Sequence, residues 1–124
     1  MRRFRRTPVV PIACPGGGLI EAHVATRPLA RLAGLALLRE PPARALLLPR
    51  CRSVHTVGMR FPIDVAFLDL PEGGRGARVV DVREQVPPGR VVAARMRDVA
   101  ALELAAGEAA RLGIRPGRLL VLFG

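Results

Sequence analysis

The run Cys51-Arg52-Ser53-Val54-His55-Thr56-Val57-Gly58-Met59-Arg60-Phe61-Pro62-Ile63-Asp64 leads directly into Val65-Ala66-Phe67-Leu68. Ile63 to Leu70 reads as a strand whose two faces are both apolar beyond Asp64. Such a strand is buried on both sides and belongs at the centre of a fold. The polar part of the run sets a thiol, an imidazole, a hydroxyl, a guanidinium and a carboxylate against that strand. Polar groups there are costly unless they are paired or used. The same stretch therefore marks the core and the first place to look for a site.

Outward from this strand, Pro and Gly cut the chain into short pieces. Pro71-Glu72-Gly73-Gly74-Arg75-Gly76 suits a hairpin loop, and Val79 to Arg83 pairs naturally with the central strand. Leu19 to Ala25 alternates apolar and polar residues, as a half-buried strand does. Arg44 to Leu48, Val91 to Arg95, Ala101 to Ala105 and Leu119 to Phe123 read as further strands. Thr26-Arg27-Pro28 is a helix start, with Thr as N-cap and Pro in the first turn. Gly107 to Leu112 supports one or two helical turns stopped by Gly113. Arg115-Pro116-Gly117-Arg118 fits a type II turn. About seven short strands with frequent turns predict a mainly β, single-domain antiparallel β-barrel or sandwich with one or two short helices. Residues 1–8 read as a basic flexible tail and residues 9–124 as one β domain.

The length of 124 residues allows one compact domain. Half the residues are hydrophobic, which argues against wholesale disorder. With four Phe and no Trp or Tyr, the core must be aliphatic. The formal charge is +10, carried entirely by Arg. Arg suits phosphate and carboxylate partners. A chain without Lys or Asn and rich in Ala, Gly and Pro also has the composition of GC-rich coding. Val9-Val10-Pro11-Ile12-Ala13 is too short and Pro-broken for the apolar part of a signal peptide, and Ala13-Cys14 fails as a lipoprotein site for the same reason. No run approaches the roughly 18 apolar residues of a membrane helix. The expectation is a soluble, cytoplasmic protein with no membrane contact. Two cysteines do not make a disulfide framework.

Cys51 and His55 are the candidate catalytic pair. Curled, the segment would bring them together as nucleophile and base, with Asp64 or Glu103 orienting the ring. Extended, it would hold them about 13 Å apart on one face. The bland alternative is a small buried Cys and a hydrogen-bonded His. Cys14, His23, Cys51 and His55 could in principle fill a zinc site, but their spacing matches none of the paired patterns, so no metal is assigned. Asp64 sits at the first residues of the buried strand, because Pro62 holds Phe61 extended. Arg60 or His55 could pair with it, or it could cap backbone and fix the loop. Alternatively it anchors a ligand. Glu103 has only Ala101 and Ala105 on its face, which fits a pocket or a solvent-facing strand. The chain carries no phosphate-binding Gly-Lys loop, no paired His on a helix and no Ser nucleophile elbow. Gly16-Gly17-Gly18 precedes a strand, so it is not a dinucleotide fingerprint, and no cofactor is assigned. Nucleic-acid binding lacks the aromatic platform of sheet-based readers.

Several separated motifs resemble the DUF192 family, also called UPF0127. Cys51-x3-His55-Thr56-x2-Met59-Arg60-Phe61-Pro62-Ile63-Asp64-Val65-x-Phe67-Leu68-Asp69 is similar to its central signature. Leu102-Glu103-Leu104-x2-Gly107 and Leu112-Gly113-Ile114-x2-Gly117 resemble its later elements, and Arg31 with Gly34-Leu35 an earlier one. The resemblance spans roughly residues 19–122. Many members carry a Trp-Met-Lys-Asn type segment where this chain has His55-Thr56-Val57-Gly58, so roles tied to that Trp or Lys do not transfer. The resemblance implies a barrel or sandwich and no established activity.

Three functional expectations follow. The first is a small non-enzymatic module binding a small anionic ligand or a protein partner at a mouth lined by His55, Thr56, Arg60, Asp64 and Glu103. The second is a hydrolase or transferase using Cys51 and His55. The third is non-specific nucleic-acid binding through the tail and the run Arg39, Arg44, Arg50, Arg52.

Overall fold

The computed structural model describes residues 8–25, 45–71 and 74–123. Seven strands close into a barrel: β1 (Val9–Ala13), β2 (Leu19–Val24), β3 (Ala45–Leu48), β5 (Ile63–Asp69), β6 (Gly76–Val86), β8 (Ala100–Ala105) and β9 (Leu119–Leu122). Their order around the wall is β1-β2-β3-β8-β5-β6-β9, and β9 pairs back onto β1. Two short strands, β4 (Ser53–His55) and β7 (Val91–Ala93), form a separate antiparallel pair. One short helix, α1 (Glu108–Leu112), follows β8. The protein is thus mainly β and forms a barrel, as the turn-rich pattern predicts. Closure leaves the barrel without a free strand edge.

One pairing departs from the antiparallel expectation. β2 and β3 run parallel, with Ala22, His23 and Val24 opposite Ala45, Leu46 and Leu47. A parallel pair needs a long crossover. Here the crossover is residues 26–44, which lie outside the described residues. The helix start at Thr26, the Arg31 and Gly34-Leu35 element, and Arg39 and Arg44 all fall there. Residues 1–7 of the basic tail also lie outside them.

The double burial of β5 has a structural cause. Ala66 and Leu68 point into the barrel with Leu47, Leu102, Val79 and Leu120. Ile63, Val65 and Phe67 point outward into a second apolar cluster with Leu48, Val54, Phe61 and Val99. The β4–β7 pair and the loops beside it cover this outer side of the wall. β5 is therefore sandwiched between two cores, and its residues from Ile63 to Leu68 are all buried.

Two strands escape the sequence pattern. β1 contains Pro11, which cannot donate to a ladder. Its carbonyl still accepts the Phe123 N–H at 2.9 Å, so the strand survives. β4 is only three residues long and pairs with a strand distant in sequence. The turns follow their chemistry closely. Gly117 adopts φ +88 after Pro116, and the Arg118 N–H reaches the Arg115 carbonyl at 3.0 Å. Gly113 ends α1 at φ +71, with Ile114 N–H on the Ala109 carbonyl at 2.9 Å. Gly16 and Gly18 turn the chain against this helix end. A Cβ on Gly16 would sit 3.0 Å from the Leu112 carbonyl oxygen, so the glycines serve close packing.

Candidate functional site

Asp64 is fully buried at the start of β5. Its Oδ1 accepts the Gln85 N–H at 2.8 Å; its Oδ2 accepts Gly107 N–H at 3.0 Å and Ala109 N–H at 2.9 Å. Gln85 has φ +50 and lies where the β5–β6 register shifts, between the Ile63–Val86 and Val65–Arg83 pairs. Gly107 and Ala109 open α1, whose own first residues supply no side-chain cap. One carboxylate thus pins a β-bulge and caps a helix. Of the two structural alternatives, the backbone cap is realised. Arg60, offered as a partner by the sequence, is exposed instead.

Thr56 does similar work nearby. Its hydroxyl donates to the Pro87 carbonyl at 2.7 Å and accepts the Arg90 N–H at 2.9 Å. Its backbone N–H and carbonyl bind Arg90 and Gly89 across the same turn. His55, immediately before it, is half-buried, and its Nδ1 makes no hydrogen bond. Glu103 is buried on the outer side of β8, between Leu46 and Val65 in neighbouring strands. Asp64 pairs with Leu104 in that ladder. Successive residues alternate faces, so Asp64 and Glu103 stand on opposite sides of the wall. Glu103 is neither solvent-facing nor part of a common mouth with Asp64. His23, also buried, lies in the same cross-strand row as Leu46 and Glu103. Both make further interactions.

The structure takes the extended alternative for Cys51 and His55. Cys51 N–H binds the Val99 carbonyl at 2.8 Å, whereas His55 pairs with Val91 at the other end of β4. The Cys51 thiol donates to the Ser53 carbonyl at 3.2 Å. Cys51 packs against the outer cluster, while Cys14 is buried in the barrel interior. Both are free thiols. Burial pushes the Cys14 thiol pKa up, against a smaller opposing pull from Arg111. Among the described residues no three His, Cys, Asp or Glu side chains gather as a metal site would require.

The opposite end of the barrel holds a different arrangement. There β3 exits, β5 exits and β8 enters, around a cleft of about 650 Å³. Arg50, Arg52, Arg97, Asp69 and Asp98 supply its charged lining. Pro49, Leu70, Pro71, Val99 and Ala100 supply the apolar part. Arg50 and Arg52 line the cleft, and Cys51 between them turns to the apolar cluster. Arg50 is one of two described non-glycine residues at positive φ, at +52. None of these five charged side chains forms an ion pair among the described residues, unlike Arg83 with Asp81 and Arg111 with Glu108.

With this geometry in view, comparison with known proteins places the chain. The sequence profile of DUF192, described as "Uncharacterized ACR", matches residues 12–122. The chain belongs to the DUF192 family. Two solved structures share the fold of this DUF192 protein. One is a protein of unknown function from Novosphingobium aromaticivorans DSM 12444, with a TM-score of 0.73 and 22% identity over 95% of this chain and 85% of that one. The other, from Sinorhizobium meliloti 1021, is described as a "putative transcription regulator". It gives a TM-score of 0.70 and 24% identity over 94% of this chain and 92% of that one. No curated protein matches in sequence.

The central signature of this DUF192 protein is therefore divided between two ends of a barrel. Asp64 and Thr56 hold one end together; Asp69 belongs to the other. The sequence places Arg50 and Arg52 in a basic run, whereas Arg97, Asp98 and Asp69 join them at the cleft only in the fold. The available signal was the polar loop Arg95-Met96-Arg97-Asp98 between two apolar strands. Its meeting with Arg50 and Arg52 depends on the β3–β8 register, which no local pattern carries.

Proposed function

We propose that this DUF192 protein is a small, non-enzymatic binding module for an anionic ligand, recognised in the cleft by Arg50, Arg52 and Arg97. The observation that carries this reading is three guanidinium groups around one cleft with no ion pair among the described residues. Arg forks match carboxylate and phosphate oxygens in bidentate fashion. The cleft volume lies in the range of small-molecule sites, about 300–1,000 Å³. Asp64 and Thr56, whose polar atoms are already occupied by backbone, serve as the frame. Two free thiols suit a reducing, cytoplasmic setting.

The test is an NMR titration with inorganic phosphate and with citrate. Shifts should concentrate at Arg50–Arg52, Asp69–Leu70 and Arg97–Ala100. They should weaken at high salt and vanish in the R52A/R97A double variant. Shifts spread over all exposed arginines, unchanged in that variant, would defeat the reading.

A further inference from the structure

We infer that the ligand of this cleft is a phosphate monoester bearing hydroxyl groups, of the sugar-phosphate kind, rather than a bare anion or a polyanion. The inference rests on the anion-binding reading above. Its basis is the two carboxylates that share the cleft with the arginines. Asp69 ends β5 and is half-buried; Asp98 is exposed on the loop entering β8. Both line the same space as Arg50, Arg52 and Arg97, and neither is tied up in an ion pair among the described residues.

The charge count separates the classes of ligand. Among the described lining residues, three guanidinium groups less two carboxylates leave one net positive charge. A nucleic-acid backbone gains from each phosphate neutralised by Arg and is repelled by each Asp beside it. An ionised carboxylate only accepts hydrogen bonds. Asp69 and Asp98 are thus acceptors awaiting donors, and the arginines are donors awaiting an oxyanion. A molecule with a phosphate at one end and hydroxyls at the other satisfies both sets together. The described lining has no aromatic ring, so it offers a nucleobase no stacking partner of that kind. Pro49, Leu70 and Pro71 instead offer small apolar surfaces for a carbon skeleton.

Isothermal titration with glucose 6-phosphate, ribose 5-phosphate, glycerol 3-phosphate and inorganic phosphate, at one ionic strength, tests this. At least one hydroxyl-bearing ester should bind about tenfold or more tighter than inorganic phosphate, the gain expected of hydrogen bonds to charged acceptors. D69N and D98N, assayed separately, should each reduce that ratio while leaving inorganic phosphate equally or more tightly bound. Equal affinity for all four probes, or an unchanged ratio in both variants, overturns the inference. If that equal binding still requires Arg52 and Arg97, the anion-binding reading stands and only the ligand class falls. If none of the probes binds, both fall.

Discussion

The two ends of strand β5 treat charge in opposite ways. At its start, Asp64 is fully buried and accepts three backbone N–H groups. At its end, about 17 Å away at the usual strand rise, Asp69 faces a cleft with Asp98 and three arginines, none in an ion pair among the described residues. A buried carboxylate survives only when its lone pairs are filled. A half-buried one that still reaches solvent can stay open because water serves it until a ligand arrives. The contrast separates groups that hold the fold from groups able to recognise something. It also explains why the most distinctive run in the sequence is largely architectural.

Removing the buried end should give the largest effect. D64A strands the N–H groups of Gln85, Gly107 and Ala109 and should cost about 3–5 kcal/mol in denaturant unfolding. A loss below 1 kcal/mol would break the comparison. T56V should follow, at about 1–3 kcal/mol, because it leaves the Pro87 carbonyl and the Arg90 N–H without their side-chain partner. At the cleft end the expectation reverses. R52A and R97A should each change stability by no more than about 0.5 kcal/mol, as surface substitutions do, while weakening phosphate binding. A large loss of stability would move these arginines to the architectural side.

The smallest effect should come from an exposed ion pair. In α1, Arg111 Nη2 donates to Glu108 Oε1 at 2.8 Å, and this bond holds the Glu108 carboxyl below its ordinary value. A lowered carboxyl pKa adds stability above the unfolded value of about 4.5, lost as pH falls through the folded one. E108Q should therefore differ slightly from wild type at neutral pH and converge with it in acid. A difference that persists in acid would assign the loss to packing.

Much of the fold was legible because it is written locally. Alternation placed β2 and β8, unbroken apolar runs placed β5 and β9, and Pro116-Gly117 and Gly113 placed two turns. β4 was illegible because three residues carry no period, and β1 because Pro11 interrupts one. The site was legible only in part. Asp64 stood out as a carboxylate against a core strand, but its neighbours Arg60 and His55 in the chain are not its partners. Those are N–H groups more than twenty residues away.

By itself the sequence determined the family, the mainly β class, the aliphatic core and the position of the central strand, because period and turn chemistry act over a few residues. Only the tertiary structure decided barrel closure, the parallel β2–β3 pair and the second core on the outer wall. It alone set Asp64 and Glu103 on opposite faces, and Arg50, Arg52 and Arg97 beside Asp69 and Asp98. Those relations depend on which strands pair and in what register, and register follows from packing the whole wall at once.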